Sequence, residues 1–461
     1  MVKKNNIVLL LMVVWLGGCN TTAPADLLVP PAYTFENEEL ALAISQSLPP
    51  EARLSLPIQD NSISAVRLND LNGNGKKEAV VIYKDETNEQ RLLLLRQTDG
   101  RWVEWMTIEG LSYEPFDWVE ITNVDEDPTP ELLVGYRIYG EDGNTIDIYK
   151  LTAPVLQEEH PEPPLPVMSL PYSLATTGDV TGDGQKELLI VTQPEENLQN
   201  EEVDLVEPEE RAEAVIYRME QKELHRLVTV KLDEEKRYDD VAIGKVSATQ
   251  TGFVLEARDG LRTRALSAFV IEDHAAKEVY NDYYLGDGSP LSRDINGDGI
   301  IEFPQHQVAP GQDPSTHPME LVYLENWFQW IEKKDFTIVA RTYSDAEHGF
   351  RLMIPLEWGD EVTVRNKGMA EEKEETDFWA VASFELLDGR ELFTIHVVPQ
   401  SDWEEQRSHW KDNDRHYVIL EQAFGHEFVA VFGEVKEQEP LHKLLPSEEE
   451  LIKQFMLQAI E

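Results

Sequence analysis

The 461-residue sequence predicts a mainly β fold: a β-propeller of about five four-stranded blades, followed by a small α+β domain. Two observations predict it. A nine-residue string, with oxygen-bearing side chains at positions 1, 3 and 5 and Glu at position 9, begins at residues 70 (DLNGNGKKE), 123 (NVDEDPTPE), 179 (DVTGDGQKE) and 294 (DINGDGIIE). The first two gaps are 53 and 56 residues and the last is 115, so a further copy is expected near residues 235–250. There YDDVAIGKVSATQTGFVLEA keeps the apolar frame but has Lys245, Ser247 and Thr249 in place of the string's alternating residues, a degenerate repeat. The second observation lies between the strings. SAVRL precedes the first, and EAVVIYK, RLLLLRQ and RWVEWMTIE follow it, each β-rich and bounded by turn residues. Such a period indicates a propeller or solenoid, and four antiparallel strands per repeat are the content of a propeller blade.

In chain order, the first element is MVKKNNIVLLLMVVWLGGC, basic at Lys3 and Lys4, apolar from Ile7 to Leu16, and small before Cys19. The apolar run is too short for a comfortable membrane span. It resembles a bacterial lipoprotein signal peptide, whose LxxC lipobox is matched by Leu16, Gly17, Gly18 and Cys19. The resemblance implies cleavage before Cys19, lipidation of its sulfur, and a protein held by that lipid on the extracytoplasmic face of the bacterial cell membrane. Cys19 is the only cysteine, which excludes an intramolecular disulfide. Residues 20–49 read as a small, polar, Pro-containing tether and a short helix, Glu38–Ser47, with Asn37 placed to cap it.

Residues 50–343 hold the repeats. In the last one, MELVYLE, WFQWIEK and FTIVARTY are the expected strands, and the acidic stretch 195–211 is a solvated insertion. From residue 344 to 461 the ligand string does not recur. Alternating strands give way to a closing amphipathic helix, with Ser447 and Glu450 as a capping box and Leu451, Ile452, Phe455 and Met456 on its apolar face. HGFRLMIPLEW, a strand followed by Pro and Trp, resembles a PsbP-like domain over one hairpin.

The strings suit a hard cation. Calcium takes six to eight oxygens, and alternating ligands separated by turn-forming Gly and Asn wrap inward around it. The alternative is a set of tight hairpins in which Asp and Asn bond their own backbone. Set inside four-stranded repeats, the DxNGDGxxE strings resemble FG-GAP or VCBS repeats, the integrin-type propeller family. That resemblance implies calcium bound by the side chains at positions 1, 3, 5 and 9. It nominates Asp70, Asn72, Asn74 and Glu78; Asn123, Asp125, Asp127 and Glu131; Asp179, Thr181, Asp183 and Glu187; and Asp294, Asn296, Asp298 and Glu302. The family usually has Asp at position 9, where all four copies here have Glu, and the second copy has Pro128 in place of the turn glycine. With three carboxylates and both glycines, the strings at Asp294 and Asp179 are expected to bind best.

Charge narrows the function. Against 40 Lys+Arg stand 88 Asp+Glu, a formal net charge of -48, which argues against nucleic acid as a partner and favours a soluble monomer. No HExxH, CxxC or GxSxG motif is present, and His396 lies in the apolar run LFTIHVV, as a core residue would. Trp102 and Trp105, like Trp327 and Trp330, are expected on equivalent strands, packing between blades or stacking on a sugar. The expected function is a lipid-anchored, calcium-binding scaffold that binds a protein or glycan of the cell envelope. The rival is a carbohydrate-active enzyme, a polysaccharide lyase or hydrolase, whose carboxylates spacing alone does not single out.

Overall fold

The computed structural model describes residues 35–59, 64–125, 127–139, 143–151, 164–194, 212–220, 223–259, 263–285, 291–313, 315–317, 320–332, 335–367, 379–433 and 444–458. Cys19 with its leader, the tether as far as residue 34, and the acidic stretch 195–211 lie outside the described residues.

The architecture is mainly β, in six antiparallel sheets of four or five strands. The first holds β1 (Arg53–Leu54), β2 (Val66–Asn69), β3 (Glu78–Lys84), β4 (Gln90–Thr98) and β5 (Arg101–Glu109). β2 to β5 form a meander as the repeat pattern predicts, and β1 pairs with the far end of β3. The second sheet is β6 (Phe116–Thr122), β7 (Glu131–Tyr136), β8 (Asn144–Tyr149) and β9 (Met168–Tyr172). The third is β10 (Leu174–Gly178), β11 (Glu187–Thr192), β12 (Glu213–Glu220) and β13 (Glu223–Lys231).

The degenerate repeat folds like the others, as β14 (Arg237–Lys245), β15 (Thr251–Asp259), β16 (Thr263–Glu272) and β17 (Ala275–Leu285). In the next repeat the strand before the loop shrinks to a bridge between Arg293 and Glu302. Then come β18 (Phe303–Val308), β19 (Tyr323–Glu332), β20 (Asp335–Asp345), β21 (Phe350–Met353) and, from much later in the chain, β27 (Phe455–Leu457). The sixth sheet runs β22 (Val362–Asn366), β23 (Ala380–Leu386), β24 (Glu391–Pro399), β26 (His426–Phe432), β25 (Tyr417–Ala423).

The middle strands are apolar on both faces because both faces are covered. Ala79 and Val81 of the first sheet pack under Leu40 and Ile44 of an N-terminal helix, Phe35–Ser47, while Val80 and Ile82 meet Leu132 and Val134 of the second sheet. Leu133 then meets Leu188 and Ile190 of the third sheet, and Leu189 and Val191 meet Phe253 and Leu255 of the fourth. Val254 and Leu266 face Phe303 and Trp330; Tyr343 and Phe350 face Phe384 and Phe393 of the sixth. The outer face of the sixth sheet, Val398, Val429 and Val431, lies under Trp403 and Trp410 of the helix Trp403–Asp412. The sheets are therefore stacked face to face in chain order, with a helix over each end. Each large apolar side chain fully buried between layers contributes ~1.5–3 kcal/mol.

Several expectations change. The boundary expected after Tyr343 falls inside β20, and sheet and core both continue across it, because the ligand string stops there while the stacking does not. MELVYLE and WFQWIEK are not two strands: Tyr323–Glu332 is one strand, and the strand missed beside it, FPQHQV, was obscured by Pro304. Consequently Trp102 and Trp105 lie on a fourth strand and Trp327 and Trp330 on a third; Trp105, Trp327 and Trp330 are buried and pack. At the termini, Asn37 sits inside the first helix rather than capping it. The Ser447–Glu450 capping box is present, but its helix ends at Gln454, so Phe455 and Met456 belong to β27.

Candidate functional site

The ligand strings join the first and second strands of their sheets, and they lie side by side. Gly73 of the first abuts the Thr129 side chain of the second, Gly182 of the third abuts Thr251, and Ile300 of the last bridges in parallel to Lys245. In the degenerate repeat the connection is a plain hairpin, with Val246 and Ser247 N–H donating to the Gln250 carbonyl.

The loop at Asp294 turns because Gly297 and Gly299 adopt φ of 80° and 83°, left-handed values that cost glycine little. The Asp294 carboxylate then accepts from the N–H groups of Gly297 (2.7 Å), Asp298 (3.1 Å) and Gly299 (2.8 Å). Asn296 Oδ1 accepts from Asp298 N–H, Asp298 Oδ1 from Ile300 N–H, and Glu302 Oε2 from Ile295 N–H, each at 2.9 Å. Both oxygens of Asp294 and one oxygen each of Asn296, Asp298 and Glu302 thus brace the loop. Asp298 Oδ2 and Glu302 Oε1 converge and accept from Gln329 Nε2 at 2.7 and 2.8 Å. Asp294, Asp298 and Glu302 each have an oxygen within 4.8 Å of the others. Glu302 is fully buried, and that burial, with the charges of Asp298 and Asp294 beside it, pushes its carboxyl up to about 7.

The other loops share the bracing and differ at the centre. At Asp179 the carboxylate accepts from Gly182, Asp183 and Gly184, but the open oxygens of Asp183 and Glu187 hold the Arg218 guanidinium, with Nη2 2.6 Å from Asp183 and also on Glu187. In the second loop Asn123 and Asp125 brace the backbone, and the Lys150 ammonium sits among Asp125, Asp127 (2.7 Å) and Glu131. Lys150 is buried, and although burial opposes its charge, the three carboxylates raise it above the ordinary lysine range. The reciprocal effect outweighs burial at Asp127 and Asp183, which are held below the usual carboxylate range by Lys150 and Thr129 and by the Gln185 N–H and Arg218 respectively.

In the first loop Asp70 accepts from Asn74 and Gly75, while Glu78 takes Leu71 N–H on one oxygen and the Asn72 amide (2.6 Å) on the other. Burial, with Asp70 nearby, pushes Glu78 to about 7.

All sixteen nominated residues therefore sit in four equivalent loops. The residues that sequence reasoning missed lie across the sheet, on the third strand. Pairing of Leu132 with Tyr149, Leu188 with Tyr217, Phe303 with Phe328 and Ala79 with Leu95 sets Lys150, Arg218, Gln329 and Arg96 opposite the four position-9 glutamates. The signal was a basic residue closing an apolar run, as in IDIYK, VIYR and LLLLR. Variable hairpin lengths hid its common register.

Calcium suits these loops unequally. At Asp294 converging hard oxygens face a neutral amide whose own oxygen is a potential ligand, and the residues fit. The loop at Asp179, expected to rank beside it, does not fit in this form, nor does the loop at Asn123, because each already holds a side-chain cation. The first loop has only two carboxylates, Asp70 and Glu78, with the neutral Asn74 where the loop at Asp294 has Asp298.

No protein-family model matches the chain. No curated protein matches it either. Among solved structures it is similar to Sqt1 of Saccharomyces cerevisiae, at 8% identity and TM-score 0.34, over 68% of this chain and 82% of that one. It is also similar to a protein from Lactobacillus plantarum, at 9% identity and TM-score 0.29, over 71% and 82%. Among the described residues no helix is long and apolar enough to cross a membrane.

Proposed function

We propose that the chain is a lipid-anchored scaffold on the extracytoplasmic face of a bacterial membrane, a propeller-like stack of sheets that carries one calcium ion and binds a protein or glycan of the envelope. The loop at Asp294 carries this reading, through Asp294, Asn296, Asp298 and Glu302 with Gln329 beside them. A calcium ion there would neutralise a buried carboxylate and tie the fifth sheet to Lys245 of the fourth through Ile300. The ion's contribution is structural, since ordering the loop needs charge and oxygen preference rather than redox or acid–base chemistry. The stack supports the scaffold part, because repeated layers sharing their cores offer a continuous surface for a partner.

Two arms test the proposal. Calcium should raise the melting temperature of the parent over that in chelator, by the linkage RT ln(1 + [L]/Kd), and Asp298→Ala should abolish the rise. A parent indifferent to millimolar calcium refutes the metal. Cys19→Ser should move the protein from the membrane to the soluble fraction, and retention at the parent's level refutes the anchor.

A further inference from the structure

Three of the cages differ in one register position more than in their own ligands. Opposite the position-9 glutamate stand an ammonium at Lys150, a guanidinium at Arg218 and a carboxamide at Gln329. Lys150 places a single charge among Asp125, Asp127 and Glu131, three oxygens that satisfy the mutual 4.8 Å separation found at Asp294, Asp298 and Glu302. Arg218 reaches Asp183 and Glu187 and adds a contact to Thr181 Oγ1 at 3.3 Å, touching positions 3, 5 and 9 together. Gln329 reaches the same two positions, Asp298 and Glu302, but brings no charge. In these three loops that point is served by an internal cation twice and by a neutral dipole once; in the first loop Arg96 stands there, with its guanidinium over the Trp105 ring at 5.5 Å.

We propose that in the loops at Asn123, Asp179 and Asp294 this third-strand residue decides which cation the loop holds. Lys150 and Arg218 supply it from the chain itself and close their loops to metal, whereas Gln329 leaves the loop at Asp294 open to a divalent ion. The inference rests on the calcium reading of the Asp294 loop and adds its selector. The physical reason is exclusion. A second cation entering the Asn123 or Asp179 loop would have to displace a charge that itself needs those carboxylates, buried at Lys150 and half-buried at Arg218, and a buried charge stripped of its partners is strongly destabilising. A carboxamide can instead swing its oxygen toward an incoming ion at little cost, since its two ends exchange donor for acceptor.

The test exchanges the residues and titrates calcium chloride into the full-length protein by calorimetry. The parent is expected to bind one calcium. Gln329→Lys should weaken that binding at least tenfold and raise the melting temperature in chelator, because the new ammonium neutralises the cage. Lys150→Gln and Arg218→Gln should each bind one calcium more than the parent, with far-ultraviolet circular dichroism showing whether each remains folded. Folded glutamine variants that gain no site, or a Gln329→Lys variant that binds calcium like the parent, overturn the selector. If either glutamine variant fails to fold, Gln329→Lys decides alone. A parent without binding beside a glutamine variant that gains a site would refute the Asp294 reading and leave the selector standing. A parent site abolished by Asp298→Ala but untouched by Gln329→Lys would do the reverse.

Discussion

At the scale of single residues, the molecule places several ionisable groups where water does not reach, and the pairing of each sets its cost. His396 is the extreme case outside the loops. It is buried on β24, its ring lies edge-on to Trp410 at 5.1 Å, and its Nδ1 has no hydrogen-bond partner among the described residues. Burial, reinforced by the Arg415 charge, lowers it from 6.5 to about 3. The unfolded chain therefore takes up a proton below about pH 6.5 that the folded chain refuses, so this group's contribution is fully present above that pH and is lost as pH falls toward 3. His396→Phe should remove the loss. Urea unfolding at pH 6.5 and pH 5 should show the stability difference between variant and parent shifting toward the variant by about 2 kcal/mol, at ~1.4 kcal/mol per pH unit. An unchanged difference would mean that His396 titrates normally in the folded state. That this histidine belongs to the core was legible from LFTIHVV; its missing partner was not, because a partner depends on what folds over the ring.

At the scale of elements, legibility followed the locality of the signal. Strands β2 to β5 were readable because alternation, turns and a fixed loop all lie within about forty residues. The capping box at Ser447 was readable because its two partners are three residues apart. The pairing that puts Lys150 and Arg218 into the loops was not, since the connection before β12 is far longer than that before β8. The helix Trp403–Asp412 gave little hydrophobic pattern, yet its two tryptophans seal one end of the stack. Trp410 is buried and touches Trp403, Tyr417 and His396. Trp410→Ala should cost ~3–5 kcal/mol and uncover Val398, Val429 and Val431, so both the denaturant midpoint and binding of an apolar dye should respond. A loss below ~1 kcal/mol without dye binding would show the helix to be dispensable as a cover.

At the scale of the whole molecule, a strand and a shared core run across the position after Tyr343 where the sequence changes its pattern. Tyr343 and Phe350 pack on Phe384 of the sixth sheet, and Phe455 returns to stack on Phe350 at 5.4 Å. A chain cut at Ser344 should therefore yield no piece 1–343 with a cooperative melt, since β20 is severed and a layer face is laid bare. Two fragments that each melt cooperatively, with midpoints like the parent's, would restore the boundary. The pairing of β21 with β27 also has a bearing on time. Met353 and Phe455 are separated by about a hundred residues, and closing so long a loop is entropically slow relative to a hairpin. Of the described strands, β27 is the last to be synthesised, so during chain growth the fifth sheet stands with β21 as an uncovered edge and Phe350 short of one neighbour. Only a copy translated past Phe455 can latch it, which leaves any product ended between Met353 and Phe455 marked by the same exposed edge, the kind of unpaired strand that aggregates or is recognised by chaperones.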